Sequence, residues 1–196
     1  MPSCGVPIIL SFDKIMLFSK IFHRLPLSMA FAVGLLSSLS VQAEAERPEF
    51  NDHKVPESLE DVMAIEAALK KHLERTRLAT VSITDGKGSG SGVIVNSKGL
   101  IMTAAHVSAG VGKKLTVIME DGRKFKAKSL GLDSNTDAAL IQITDKGEYP
   151  FVEVDMNKEA EKTTKLGDWV YSLGHSGGYD KARGSVVRLG RIVRLN

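Results

Sequence analysis

The chain has 196 residues, 43% hydrophobic and 25% charged, a balance that suits a folded domain and excludes a disordered polymer. Its formal charge is only +3 and Cys4 is its single cysteine, so the sequence offers neither a charge surplus that calls for nucleic acid nor a disulfide framework.

Lys20, His23 and Arg24 precede an apolar run from Leu25 to Val41, which gives way to the polar EAERPEFNDHK. That is the layout of a secretory signal peptide. Small residues stand at the minus-three and minus-one positions as Val41 and Ala43, or alternatively as Ala43 and Ala45. A cut after Ala43 is expected, giving a leader over residues 1–43 and an exported chain, periplasmic or extracellular. The competing reading is a retained anchor, but the run has 17 residues and contains Pro26 and four serines, short of a bilayer span. Asp13 and the apolar PIIL make residues 1–15 a poor leader start, which translation from Met16 would repair. Without the leader, 23 basic residues face 22 acidic ones and Cys4 is gone. Disulfides and a thiol nucleophile are then excluded, and stability must come from packing.

Residues 44–57 read as a polar linker. Ser58 and Asp61 then fit a capping box, and Leu59, Val62, Ile65, Leu69 and Leu73 recur at helical spacing, predicting one amphipathic helix over residues 58–77. From residue 78 the pattern changes to short β-branched runs: ATVSIT, SGVIVN, LIMT, LTVIME, KFKAKSLG, AALIQI, DWVYSL and SVVRLGRIV. Turn signals such as Asn96-Ser97-Lys98-Gly99 and Asp121-Gly122 separate them, predicting an all-β barrel or sandwich and disfavouring a doubly wound α/β sheet.

The first candidate chemistry is TAAHV, residues 103–107, directly after LIMT, with Asp137 of NTDAALIQI following His106 by 31 positions. On spacing alone the bland readings outweigh the functional one, since an Asp before a strand is usually a turn residue. Several segments in order change that balance: GSGSGVIVNSKGLIMTAAHV, DGRKFKAKSLGLD, NTDAALIQI, LGDWVYSLGHSGG and RGSVVRLGRI. From about Val81 to Ile192 the chain resembles the trypsin-like peptidase domain of the HtrA/Deg family.

The resemblance implies a chymotrypsin-like double β-barrel over residues 78–196, of which the chain holds the first barrel and part of the second. It also implies an active site in the crevice between barrels. His106 would be the general base and Asp137 the acceptor that orients it. In the family the nucleophile lies in a Gly-Asn-Ser-Gly-Gly or Gly-Asp-Ser-Gly-Gly segment. No such segment occurs before Asn196, so the chain as given is expected to be inactive and to continue into its missing half-barrel. The implied function is a cofactor-free serine endopeptidase of exported protein quality control, acting on polypeptide substrates. The alternative is a non-catalytic pseudoprotease that binds or scaffolds polypeptide. The family commonly forms trimers and often carries PDZ domains after the protease, leaving a homo-oligomer and a PDZ domain beyond the chain end open. Neither nucleic acid nor membrane is implied as a partner, the membrane entering only through the export signal.

Gly174-His175-Ser176-Gly177-Gly178 matches a nucleophile elbow, but glycines and β-branched residues follow it where a helix is needed, and no later His completes the order. The family places a structural turn here, so Ser176 is set aside. GKGSGSG, residues 86–92, leads into a strand rather than a helix, which argues against phosphate binding and for relief of crowding where backbone passes backbone. His53, His72, His106 and His175 show no metal-ligand spacing, and His72 reads as solvated among charged helix neighbours. Lys181, Arg183, Arg188, Arg191 and Arg194 make a basic end, in which Arg188 and Arg194 read as exposed strand positions and no partner is assigned.

Overall fold

The computed structural model describes residues 8–11, 48–154 and 164–194. Strand β1 (Ile8–Ser11) is followed by a 3-10 turn (Glu49–Asn51), helix α1 (Leu59–Ala79), and strands β2 (Thr80–Thr84), β3 (Ser89–Ile94) and β4 (Leu100–Thr103). After a second 3-10 turn (Ala105–Val107) come β5 (Lys114–Ile118), β6 (Lys124–Asp133), β7 (Ala138–Ile143), β8 (Trp169–Gly174) and β9 (Val186–Arg191). The six strands β2 to β7 close into an antiparallel barrel in the order β2-β3-β4-β7-β6-β5. The expected all-β class and first barrel are therefore present, with one helix before them. Of the second barrel, the described residues hold the hairpin β8–β9.

Alternation makes the barrel. Along β7, Ala139, Ile141 and Ile143 are buried while their neighbours are half-exposed, the period-two signature of a sheet with one dry face. Ile141 and Ile143 join Val81, Ile83, Ile101, Leu115 and Val117 in a single core filling the barrel. Tyr149 closes one end, its ring edge-on to Phe125 at 5.2 Å and its hydroxyl donating to the Asp145 carbonyl. Between β3 and β4, Asn96 Oδ1 accepts from the amides of Lys98 and Leu100, and Gly99 takes a φ of 81° that a side chain would resist. The glycines of the 86–92 run do relieve crowding, with one correction. A Cβ on Gly90 would come within 2.4 Å of the Val107 side chain, and one on Gly92 within 2.7 Å of Ile101 and Ile83. The nearest obstacles are side chains, not backbone. Gly86 and Gly88 have open space around them.

Helix α1 begins as expected, with Ser58 Oγ accepting from the Asp61 amide at 3.1 Å. Asp61 turns back one residue further, accepting from the Glu57 amide at 2.8 Å and the His53 ring at 3.0 Å. The predicted apolar stripe packs only in its later turns. Ile65, Ala68, Leu69 and Leu73 lie in a second core with Phe50, Ala79, Val93, Val152, Tyr171 and Leu173, whereas Leu59 and Val62 stand exposed. His72 is half-buried rather than solvated, because it lies on this packed face. Thr76 Oγ1 meets the Tyr171 hydroxyl at 3.2 Å, and the amide of Trp169 donates to Asn51 Oδ1. The Arg191 guanidinium lies 5.1 Å from the Trp169 ring and donates to the carbonyls of Gly167 and Lys54. The segment before the barrel is thus tied to the hairpin after it. Arg188 is an exposed strand position as expected, but Arg194 lies beyond the end of β9.

Ile8–Ser11 pairs antiparallel with β8, although it belongs to the stretch expected to be a leader. The rest of that leader, with its basic cluster, apolar run and cleavage positions, lies outside the described residues. Among the described residues no helix is long and apolar enough to cross a membrane.

Ile141 is fully buried in the middle of the barrel core. Ile141→Ala should lower stability by about 2–5 kcal/mol, read as a shift of the urea unfolding midpoint by circular dichroism. A change under about 0.5 kcal/mol would mean that this core does not hold the fold.

Candidate active site

The chain brings His106 and Asp137 together because β4 and β7 are neighbours in the barrel. Thr103 at the end of β4 pairs with Ala139 near the start of β7, so the segments just outside both strands meet at one rim. The Ala105 amide donates to the Asp137 carbonyl at 3.1 Å, and the His106 amide to Asp137 Oδ1 at 3.2 Å. Asp137 has a φ of 51°, a left-handed conformation that Asp tolerates better than most residues, and this turns its carboxylate back onto the histidine.

The ring contact fixes the tautomer. His106 Nδ1 lies 2.8 Å from Asp137 Oδ2 and 3.0 Å from Oδ1. An ionised carboxylate only accepts hydrogen bonds, so Nδ1 carries the proton and Nε2 is left with its lone pair free to act as a base. Desolvation pushes the Asp137 carboxyl upward, but the His106 amide, ring and charge and the Ala105 amide together hold it below the ordinary carboxylate range. Both side chains remain accessible, at 45% and 40% exposure, so incoming groups can reach the imidazole.

The support behind the histidine was not foreseen from sequence. Thr103 Oγ1 donates to the Ser91 carbonyl at 2.7 Å, and Ser91 Oγ accepts from the His175 amide at 2.8 Å. A hydrogen-bonded route thus joins the His106 strand to the loop after β8. Ser108, fully buried, donates to the Ala105 carbonyl at 2.8 Å and pins the turn that carries His106. The only sequence signal for Ser91 and Thr103 is their place inside GSGSG and TAAHV, and for Ser108 its place directly after TAAHV.

His175 itself is a core histidine at the junction of the barrel and the β8–β9 loop. Its side chain is wholly buried, with Nε2 3.5 Å from Glu120 Oε2. Ser82 Oγ, Glu120 Oε2, Ser185 Oγ and both His175 ring nitrogens are buried without a hydrogen-bond partner among the described residues. Glu120 Oε1 accepts from the Ser185 amide at 3.1 Å, and Tyr179 packs on the His175 ring. Burial pushes the His175 imidazole below its ordinary pKa, outweighing the opposite pulls of Glu120 and the Thr80 backbone, with Arg183 adding to the depression.

Ser176 is exposed in a turn whose Gly177 and Gly178 have positive φ, and its carbonyl and that of Gly178 accept from Arg183. No helix follows it among the described residues, so the elbow geometry is not formed. Among the described residues no three His, Cys, Asp or Glu side chains cluster as a metal site would require.

A family model described as the trypsin-like peptidase domain matches residues 90–196. The chain is 41% identical over 86 residues to a probable periplasmic serine endoprotease DegP-like of Rickettsia prowazekii (strain Madrid E), covering 44% of this chain and 16% of that protein. It is 32% identical over 151 residues to a protein of the same description from Halomonas elongata, covering 77% and 28%. Against the periplasmic pH-dependent serine endoprotease DegQ of Escherichia coli (strain K12) identity is 34% over 108 residues, covering 54% and 23%. The chain thus spans between about one sixth and a little over a quarter of the length of these relatives.

The lowered pKa of His175 has a consequence for stability. Above its unfolded value of 6.5 the imidazole is neutral in both states. Below that value the unfolded chain takes up a proton that the folded one resists, so stability falls with pH until the lower folded value is passed. The urea midpoint should drop between about pH 7 and pH 5, and His175→Gln should flatten that part of the profile. An equally steep profile in the variant would remove His175 as its source.

Proposed function

The chain belongs to the trypsin-like peptidase family, of the HtrA/Deg type, and from that premise we propose that it is part of an exported, periplasmic serine endopeptidase of the protein-quality-control kind. The observation that carries the proposal is the His106 Nδ1 contact with Asp137 at 2.8 Å, which leaves Nε2 as the base. A serine hydroxyl is a poor nucleophile at neutral pH. In the proposed triad the serine comes from a segment beyond Asn196. His106 Nε2 takes its proton as it attacks the scissile carbonyl, then returns that proton to the leaving amine. Asp137 keeps the ring in the right tautomer and stabilises the imidazolium without being protonated itself. No cofactor is called for. The periplasmic names of the relatives support the location, and unfolded or exposed polypeptide is the proposed substrate class.

The test is to read the coding sequence past Asn196 and express the extended chain. An in-frame Gly-Asn-Ser-Gly-Gly segment with peptidase activity is the expected result; a different residue at that serine would favour a polypeptide-binding pseudoprotease. In an active extended chain, Asp137→Asn should lower kcat about 10⁴-fold with little change in substrate binding. A near-normal rate would take Asp137 out of the triad. Ser176→Ala should leave peptidase activity nearly intact, and its loss would restore Ser176 as a nucleophile candidate.

A further inference from the structure

The outer face of the β5–β6 ribbon is a lysine array. Cross-strand pairing sets Lys114 opposite Lys128, Thr116 opposite Lys126 and Ile118 opposite Lys124. Burial alternates so that Lys124, Lys126, Lys128 and Leu130 point outward from β6 and Lys114 from β5, with Lys113 exposed just before it. Like charges directly opposite one another cost stability in a sheet. None of these five lysines forms an ion pair among the described residues, whereas Lys70 and Lys98 do, with Glu66 and Glu148. The acids at the margin are already engaged. Asp145 accepts from the Lys126 amide, Asp121 holds Arg123, and Asp133 accepts from Asn135 and Thr136 within its own turn.

The array runs toward the candidate site. The loop after His106 is stitched to β6 by the Gly112 amide on the Ser129 carbonyl and the Ser129 amide on the Lys113 carbonyl, both at 2.9 Å. Exposed Val111 lies in that loop, and exposed Leu130 stands at a bulge in β6, beyond which Leu132 pairs with the buried Ala139 and leaves the outer face. From Lys124 to Leu130 the stripe is about 20 Å long at roughly 3.3 Å per residue.

We propose that this face is an exosite for acidic, leucine-containing segments of polypeptide, with Lys114, Lys126 and Lys128 engaging carboxylates and Val111 and Leu130 the apolar side chains beside them. It deepens the peptidase reading and rests on it for the identity of the ligand as substrate. An extended segment of about six or seven residues matches the stripe. Nucleic acid fits less well. The two strands carry no arginine, Arg123 just before β6 is held by Asp121, and half-buried Phe125 lies between Tyr149 and the Arg123 guanidinium, leaving no free stacking platform.

The test is fluorescence anisotropy with the chain as it stands and a labelled peptide of Glu, Leu and Ser, compared with the same peptide carrying Gln for Glu. The acidic peptide should bind, the Gln peptide should bind far less, and raising salt from about 0.05 M to about 0.5 M should weaken binding. K114Q/K126Q/K128Q should weaken it about tenfold or more. K70Q/K71Q/K98Q, the same charge change elsewhere, should leave it unchanged. K128Q alone, with circular dichroism on every variant, serves if the triple variant misfolds, and should weaken binding by a smaller, measurable factor. Equal loss in both triple variants would overturn the proposal in favour of diffuse electrostatics. Binding to phosphatidylglycerol vesicles without binding to peptide would overturn it in favour of an anionic bilayer, and no binding would overturn it outright. Because the readout needs no hydrolysis, an extended chain that binds the acidic peptide but cleaves nothing would defeat the peptidase reading alone.

Discussion

Pairing of Thr80–Thr84 with Lys114–Ile118 turns a row of six strands into a ring. Everything else described depends on that closure. It removes the open edges that an isolated antiparallel sheet would present to other chains, and it wraps the apolar alternate residues around one dry interior. It also fixes the tilt and order that make β4 and β7 neighbours, and so sets two residues distant in sequence at one rim. The acid–base pair is a product of barrel geometry before it is a product of local sequence.

What the sequence revealed follows from which signals are local. Period-two burial in AALIQI and KFKAKSLG depends only on the strand itself, and both segments appear as strands close to their expected limits. His106 and Asp137 were legible through ordered motifs, although neither stands out by itself. The misreadings share a cause. Leu59 and Val62 fit a helical stripe but stand exposed among the described residues, because Phe50, Val93, Val152, Tyr171 and Leu173 gather with the later turns of α1. His72 was taken for solvated by its charged neighbours in sequence, when the face it occupies is decided by that same packing. For His175 the sequence shows only that it lacks metal-ligand spacing, and the fold alone places it against Glu120. The clash partners of Gly90 and Gly92 are likewise set by strands that the run itself does not contain.

Two kinds of polar environment coexist in the molecule. At the rim, carboxylate and imidazole satisfy each other and remain open to solvent. At the junction with the β8–β9 loop, Ser82, His175 and Ser185 are buried and Glu120 half-buried, with much of their hydrogen-bonding capacity unused among the described residues, an arrangement that costs stability. The Ser91 link connects the two, since its carbonyl holds Thr103 and its hydroxyl holds the His175 amide. Movement of the second hairpin against the barrel would therefore be felt at the strand that leads into the turn carrying His106.

The left-handed backbone at Asp137 also narrows the routes by which this site can change over time. A side chain there must accept a positive φ, which favours Asp, Asn and Gly and costs most other residues about 1–2 kcal/mol. Of these only Asp supplies a negative charge to the imidazole. Most other side chains would strain the loop as well as remove that charge, while Asn or Gly would keep the loop and remove the charge alone. Loss of the charge without loss of the fold is therefore a change of one residue at this position.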